Sequence, residues 1–158
     1  MTSFCIAVTG AIGSGKTTLS LLIKEAVGGQ IVNVGDLIAQ RLCEYGIGVP
    51  ERTLLGHIFM QERGYSEYEG MLLEAAAPGV ILDGVRVAAA VQALRRNTRL
   101  LHLHRTVTLQ GVSQDSFENE LPNLQSLADA VIPWCPSLLD LRTRFQAVLQ
   151  TRLLQSKT

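Results

Sequence analysis

The stretch Phe4-Cys5-Ile6-Ala7-Val8-Thr9-Gly10-Ala11-Ile12-Gly13-Ser14-Gly15-Lys16-Thr17-Thr18 decides how the rest of the chain must be read. Phe4 to Val8 is a short apolar run ending at glycines, the pattern of a strand buried on both faces of a parallel sheet. Gly10 to Thr17 fits G-x-x-x-x-G-K-[ST] without a mismatch. Beyond it, Leu19, Leu22, Ile23 and Ala26 recur at helical spacing over 17–27, and Gly28-Gly29 supplies the stop. A glycine loop between strand and helix lets backbone N–H groups turn inward around phosphates, and the helix adds the positive end of its dipole. The expected polyphosphate-binding residues are therefore Gly10, Ala11, Ile12, Gly13, Ser14, Gly15, Lys16, Thr17 and Thr18. Lys16 is suited to bridge the outer phosphates, the Thr17 hydroxyl to ligate magnesium, and Thr18 to hold the inner phosphate.

Outward from the loop, strand and helix patterns alternate. A strand is expected over 30–34, and Asp36 is placed to cap a helix whose apolar face is Leu37, Ile38, Ala39, Leu42 and Cys43. Two helices are expected within 52–77, with a joint near Gly64. Val80-Ile81-Leu82 reads as a buried strand ending at Asp83, 87–96 as a helix, and 100–104 as a fourth strand. Ala130-Val131-Ile132 supplies a fifth strand and 138–154 a closing amphipathic helix with its arginines outward, whereas 110–126 is polar and has no assigned element. Strands separated by helices need right-handed crossovers. The fold class predicted is α/β, in three layers: a five-stranded parallel sheet with helices on both faces, as in P-loop nucleotide-binding folds. Ligands then sit beyond the carboxyl ends of the strands, where Gly10, Asp36, Asp83 and Arg105 fall.

Those strand ends nominate the remaining site residues. Asp83 can join the magnesium shell with Thr17, or merely cap the following helix. Gly84 permits close backbone approach, and Arg86 presents a planar guanidinium suited to a monophosphate. Asp36 can orient or deprotonate an acceptor, although capping alone explains it. Arg41 and Arg63, the latter expected to open a helix, are further candidates for the acceptor's phosphate. Arg105, expected just past the fourth strand, is the candidate for the transferring phosphoryl group or the donor base, and with Lys16, Asp36 and Arg86 makes the catalytic set. His102 and His104 alternate on one strand without a metal-like partner and read as structural.

Composition narrows the class. With 158 residues, 47% of them hydrophobic, the chain suits a single domain. Fourteen basic and fourteen acidic side chains cancel, so no overall field favours nucleic acid as a partner. No apolar run reaches the ~20 residues of a membrane span, and no leader-like pattern precedes the first strand. Cys5, Cys43 and Cys135 match neither a disulfide framework nor a zinc pattern, which points to a cytoplasmic setting.

The loop, the segment Val34-Gly35-Asp36-Leu37-Ile38-Ala39-Gln40-Arg41-Leu42 and the strand end Ile81-Leu82-Asp83-Gly84-Val85-Arg86 together resemble the P-loop nucleoside monophosphate kinase superfamily. The likeness is to its adenylate kinase-like and dephospho-coenzyme A kinase-like branches, the second echoed by Ala128-Asp129-Ala130-Val131-Ile132 and Ser137-Leu138-Leu139-Asp140-Leu141. The resemblance implies an ATP- and Mg2+-dependent phosphotransferase acting on a small phosphorylated acceptor, a nucleoside or deoxynucleoside monophosphate, with dephospho-coenzyme A as the alternative. It also implies an acceptor-binding helical insertion over 36–77 and a lid over 105–127. Such lids usually carry several arginines, yet 106–126 contains Asp115, Glu118 and Glu120 and no arginine. The missing charge leaves room for Arg142 and Arg144, for a homo-oligomer that supplies it, or for a catalytically weak nucleotide sensor or assembly protein.

Overall fold

In a computed structural model, which describes residues 3–11, 13–106, 119–133, 135 and 137–155, the central sheet contains β1 (Cys5–Gly10), β2 (Gln30–Asn33), β3 (Val80–Asp83), β4 (Leu100–Thr106) and β5 (Ala130–Pro133). All pairings are parallel, in the order β2-β3-β1-β4-β5. Between the strands run α1 (Lys16–Val27), α2 (Val34–Glu44), α3 (Leu55–Arg63), α4 (Tyr65–Ala75), α5 (Ala88–Asn97) and α6 (Leu121–Leu127), and α7 (Leu138–Gln155) follows β5. The expected three-layer architecture is present.

Strand periodicity explains the two cores. On β1, Ile6 and Val8 face a cluster with Leu19, Leu22 and Ile23 of α1 and Leu141 and Phe145 of α7. Cys5 and Ala7 face the opposite cluster, built with Ile38, Leu42, Phe59, Leu72, Leu94 and Leu124 from α2 to α6. A strand covered on both sides has no solvent face, hence its unbroken apolar run. Each large side chain so buried contributes about 1.5–3 kcal/mol. Among the described residues no helix is long and apolar enough to cross a membrane.

Several boundaries differ from expectation for identifiable reasons. α2 starts at Val34 because the Asn33 side-chain oxygen accepts the Asp36 backbone N–H at 3.1 Å; Asn33 is the cap, and Asp36 lies inside the first turn. Pairing with β5 extends β4, with Arg105 opposite Ile132 and Thr106 opposite Pro133, so Arg105 is a strand residue. Arg63 closes α3 and does not open a helix. Inside the segment left unassigned lies α6, a short helix with a proline in its first turn and Leu124 as its buried anchor. Much of the expected lid, including Asp115 and Glu118, falls outside the described residues.

Candidate active site

The parallel sheet brings the ends of β1, β2 and β3 side by side: Val8 pairs with Asp83, and Asp83 with Asn33. From the end of β1 the chain turns at Gly10, whose φ is +149° and where a Cβ would stand 2.5 Å from the Arg105 carbonyl oxygen. Only glycine can occupy that position. Gly15 then precedes α1 with φ +87°, offers no side-chain cap, and is followed by a first turn without a carboxylate. The first amides of α1 thus gain neither a side-chain cap nor a carboxylate from their own turn, and they suit an anion. Two further features fit a polyphosphate. The Lys16 ammonium donates to the Ala11 carbonyl at 2.7 Å, which puts its charge across the loop. Ser14 is fully buried, and its hydroxyl has no hydrogen-bond partner among the described residues. Thr18 is exposed on the first turn of α1, and Ile12 lies outside the described residues.

Beside the loop, the Thr17 hydroxyl donates to Asp83 Oδ2 at 3.2 Å. Asp83 is only 2% exposed, and burial pushes its carboxyl above the usual range against the opposing pull of the Thr17 hydroxyl and the Lys16 ammonium. A hydroxyl and a carboxylate at this spacing are hard oxygen donors of the kind magnesium takes. Among the described residues no cluster of three or more His, Cys, Asp or Glu side chains could hold a metal. A cation held by Thr17 and Asp83 would therefore complete its shell with phosphate oxygens and water.

The same cleft extends over β2 and β3, where its lining includes Asn33, Arg52, Gly84 and Arg86 together with Lys16 and Asp83. Gly84 has φ +98° and donates its N–H to the Val8 carbonyl at 3.0 Å. The backbone N–H of Arg86 donates to the Tyr68 hydroxyl at 3.3 Å, and that buried phenol has its pKa pushed up to about 12 by desolvation. Arg52 was not foreseen. It opens a short 3-10 turn, Arg52–Leu54, and reaches back to Asn33 Oδ1 at 2.7 Å and Asp36 Oδ1 at 2.7 Å. Its signal in the sequence is only a basic residue in an irregular link, which many surface arginines share.

Three nominated arginines are elsewhere. Arg41 is paired with Glu74 at 2.6 Å in a separate groove between α2 and α4. Arg63 is paired with Glu67 at 2.6 Å and lies 3.7 Å over the Tyr45 ring. Both point away from the cleft because carboxylates on α4 capture them. Arg105 is 3% exposed beneath the loop, with Nε donating to the Ser14 carbonyl at 3.1 Å and Nη1 to the Pro133 carbonyl at 2.7 Å. It braces the loop from behind and does not face the open cleft.

Below the end of β1, Thr9 joins the two histidines of β4: its hydroxyl lies 2.7 Å from His102 Nε2 and 2.8 Å from His104 Nδ1. One hydroxyl proton can serve only one of them, so the other imidazole donates to Thr9. Burial holds both pKa values down to about 4, with the charge of His104 adding to the effect on His102 and that of Lys16 to the effect on His104. Both imidazoles are buried, and neither lines the cleft.

Sheet order, loop and strand-end carboxylate define the fold of the P-loop kinases. A gluconokinase from Sinorhizobium meliloti superposes with a TM-score of 0.61 at 17% identity, covering 98% of this chain and 95% of that one. A shikimate kinase from Aquifex aeolicus gives 0.59 at 15% identity, covering 96% and 99%. A shikimate kinase from Acinetobacter baumannii in complex with shikimate gives 0.58 at 16% identity, covering 95% and 93%. At these identities the likeness is one of fold alone. In sequence, the chain is 28% identical over 95 residues to a UPF0200 protein of Aeropyrum pernix, covering 58% of this chain and 51% of that protein. The chain thus spans about half the length of the curated relative it matches. It matches no protein-family model.

Proposed function

We propose that the chain transfers the γ-phosphoryl group of ATP, bound with magnesium at the loop, to a nucleoside or deoxynucleoside monophosphate. One observation carries this reading: Lys16, Thr17 and Asp83 line the same cleft as Arg52 and Arg86, so groups suited to a metal-bound triphosphate and groups suited to an anionic acceptor share one space. A shikimate kinase holding shikimate, a small anion, has the same fold, which agrees with an anionic acceptor.

The residues divide the work as follows. Loop amides and the first turn of α1 bind the polyphosphate. Lys16 exchanges the Ala11 carbonyl for phosphate oxygens and carries charge that develops in transfer. Thr17 and Asp83 hold the magnesium ion, which when bound offsets phosphate charge and aligns the groups. Arg52 exchanges its exposed partner Asp36 for the acceptor's phosphate, and Arg86 supplies the second cation. In the transfer, the bond from the γ-phosphorus to its bridging oxygen breaks as one forms to an acceptor oxygen. A phosphate acceptor is already largely deprotonated at neutral pH, its second pKa being about 6, so no general base is required. That agrees with Asp36, whose carboxylate is 68% exposed and ion-paired, and it favours a phosphate over a hydroxyl acceptor.

Incubation with Mg-ATP and a panel of nucleoside and deoxynucleoside monophosphates should release ADP with at least one member. ADP release no greater than that of Lys16→Ala across the panel would overturn the proposal, and dephospho-coenzyme A or shikimate as the sole productive acceptor would replace it. A second reading, nucleotide binding without transfer, draws on the burial of Arg105 and the absence of arginine from 106–126. Tight ATP binding with no productive acceptor selects it.

A further inference from the structure

The geometry points to Arg105 as a positioning residue that sets affinity for the donor's phosphates from beneath the loop, replacing with one buried charge part of what an arginine-bearing lid would supply. The inference rests on the nucleotide-binding part of the function proposed above. Arg105 is 3% exposed, and its described partners are two carbonyl oxygens, of Ser14 and Pro133. Among the described residues no carboxylate pairs with it. A guanidinium out of water without a counter-ion is costly, and two carbonyl dipoles offset only part of that cost. Its place supplies the missing anion. A Cβ on Gly15 would stand 3.7 Å from Arg105 Nε and 3.9 Å from Nη2, so the cation lies directly against the loop backbone. The buried and unpartnered hydroxyl of Ser14 belongs to the same wall. Because Nε holds the Ser14 carbonyl, the peptide between Ser14 and Gly15 is fixed with its carbonyl toward the guanidinium and its N–H turned away from it. A polyphosphate in the loop receives the directed amide and relieves the buried charge at once. The tie to Pro133 extends the effect to the end of β5, the sheet edge opposite the acceptor cleft on β2 and β3.

The test is calorimetric titration of the full chain with Mg-ATP, Mg-ADP and AMP, for wild type, Arg105→Lys and Arg105→Gln, with thermal unfolding of each ligand-free protein. Gln keeps an amide donor for the carbonyls and loses the charge, whereas Lys keeps the charge and loses the fork. The expected result is a loss of about 10-fold or more for Mg-ATP in Arg105→Gln, a smaller loss for AMP, and a loss within about 3-fold in Arg105→Lys. A mere tie gives the reverse order, or an equal loss for every nucleotide, and either result overturns the inference. Should Arg105→Gln not fold, the wild-type Arg105 Nε–H resonance decides: it shifts on saturation with Mg-ATP if the charge is coupled to the phosphates, and an unmoved signal overturns the claim. Wild type that binds no magnesium nucleotide sinks the function proposed above as well; wild type that binds, with a glutamine variant equally tight, sinks this inference alone.

Discussion

Two helices begin at the carboxyl ends of strands β1 and β2, and their first turns are built in opposite ways. α1 starts after Gly15 with no side-chain cap and no acidic residue in its first turn. α2 starts after Asn33, which accepts the Asp36 N–H, and carries the Asp36 carboxylate within its first turn. A capping side chain is worth about 1 kcal/mol to a helix, and a carboxylate near the positive dipole end adds about 0.3–1 kcal/mol. α2 takes both contributions from its own chain, and α1 forgoes them. The start that is left unsatisfied is the one that can gain from a ligand. The contrast continues outward: around α1 the ionisable groups Asp83 and Arg105 are buried and held by short-range partners, whereas beside α2 the Asp36–Arg52 pair is 68% and 61% exposed. Rigid, desolvated groups suit a donor tail that is chemically constant. Exposed, exchangeable pairs suit an acceptor that must displace them.

The most severe way to break the donor half is at its hinge. Gly10→Ala places a Cβ 2.5 Å from the Arg105 carbonyl, at a φ of +149° that L-residues avoid. Neither backbone can retreat without opening the β1–β4 pairing, so a loss above about 4 kcal/mol is expected in urea unfolding. A loss below about 1 kcal/mol would show that the loop is not braced as described.

The histidine pair sharpens the same point through pH. Both folded pKa values are depressed, to about 4 from the ordinary 6.5, so the neutral pair contributes stability above the unfolded value, and that contribution is lost as pH falls through the folded one. The loss is on the order of 3 kcal/mol per imidazole when fully protonated. Denaturation midpoints should fall steeply between pH 6.5 and pH 4, and His102→Gln with His104→Gln should flatten that fall. An unchanged slope would assign the acid sensitivity to other groups.

Asp83→Asn tests the donor half with the opposite sign. The folded pKa of Asp83 is raised, chiefly by burial, so its contribution is favourable only below the unfolded value and turns unfavourable as pH rises through the folded one. At neutral pH the asparagine variant should melt higher than wild type while losing magnesium-dependent nucleotide binding. A lower melting temperature would mean that Thr17 and Lys16 outweigh desolvation.

The contrast between the halves also explains what could be read from the chain. The loop's place between strand and helix was legible because its pattern occupies eight contiguous residues with fixed spacing. Asp83 followed from its place at a strand end. Asn33 was overlooked in favour of Asp36 because both are good capping residues three positions apart, and only the length of β2 decides between them. Arg105 was placed beyond its strand because a charged residue ordinarily marks the end of a buried run. Pairing with β5 carried it inside. Arg52 was missed because nothing local marks it; its place in the cleft comes from a chain reversal that brings residue 52 against residues 33 and 36. α6 was hidden because a seven-residue helix with one buried leucine leaves almost no periodic trace.

The smallest expected effects lie at the arginines that the fold diverts. Arg41 pairs with Glu74 across α2 and α4, and Arg63 with Glu67 across the Gly64 joint between α3 and α4; both pairs are substantially exposed. Exposed pairs add little to stability, because solvent screens them and ordering two long side chains costs entropy. Arg41→Ala and Arg63→Ala should therefore leave the unfolding midpoint nearly unchanged and the acceptor KM within about 2-fold of wild type. Arg52→Ala is the discriminating partner. Its ion pair is exposed too, so stability should again change little, yet it lines the cleft, and the acceptor KM should rise about 10-fold or more with donor affinity unchanged. A KM that responds to Arg41 or Arg63 and ignores Arg52 would move the acceptor to the groove between α2 and α4, and the opposed starts of α1 and α2 would no longer describe two halves of one site.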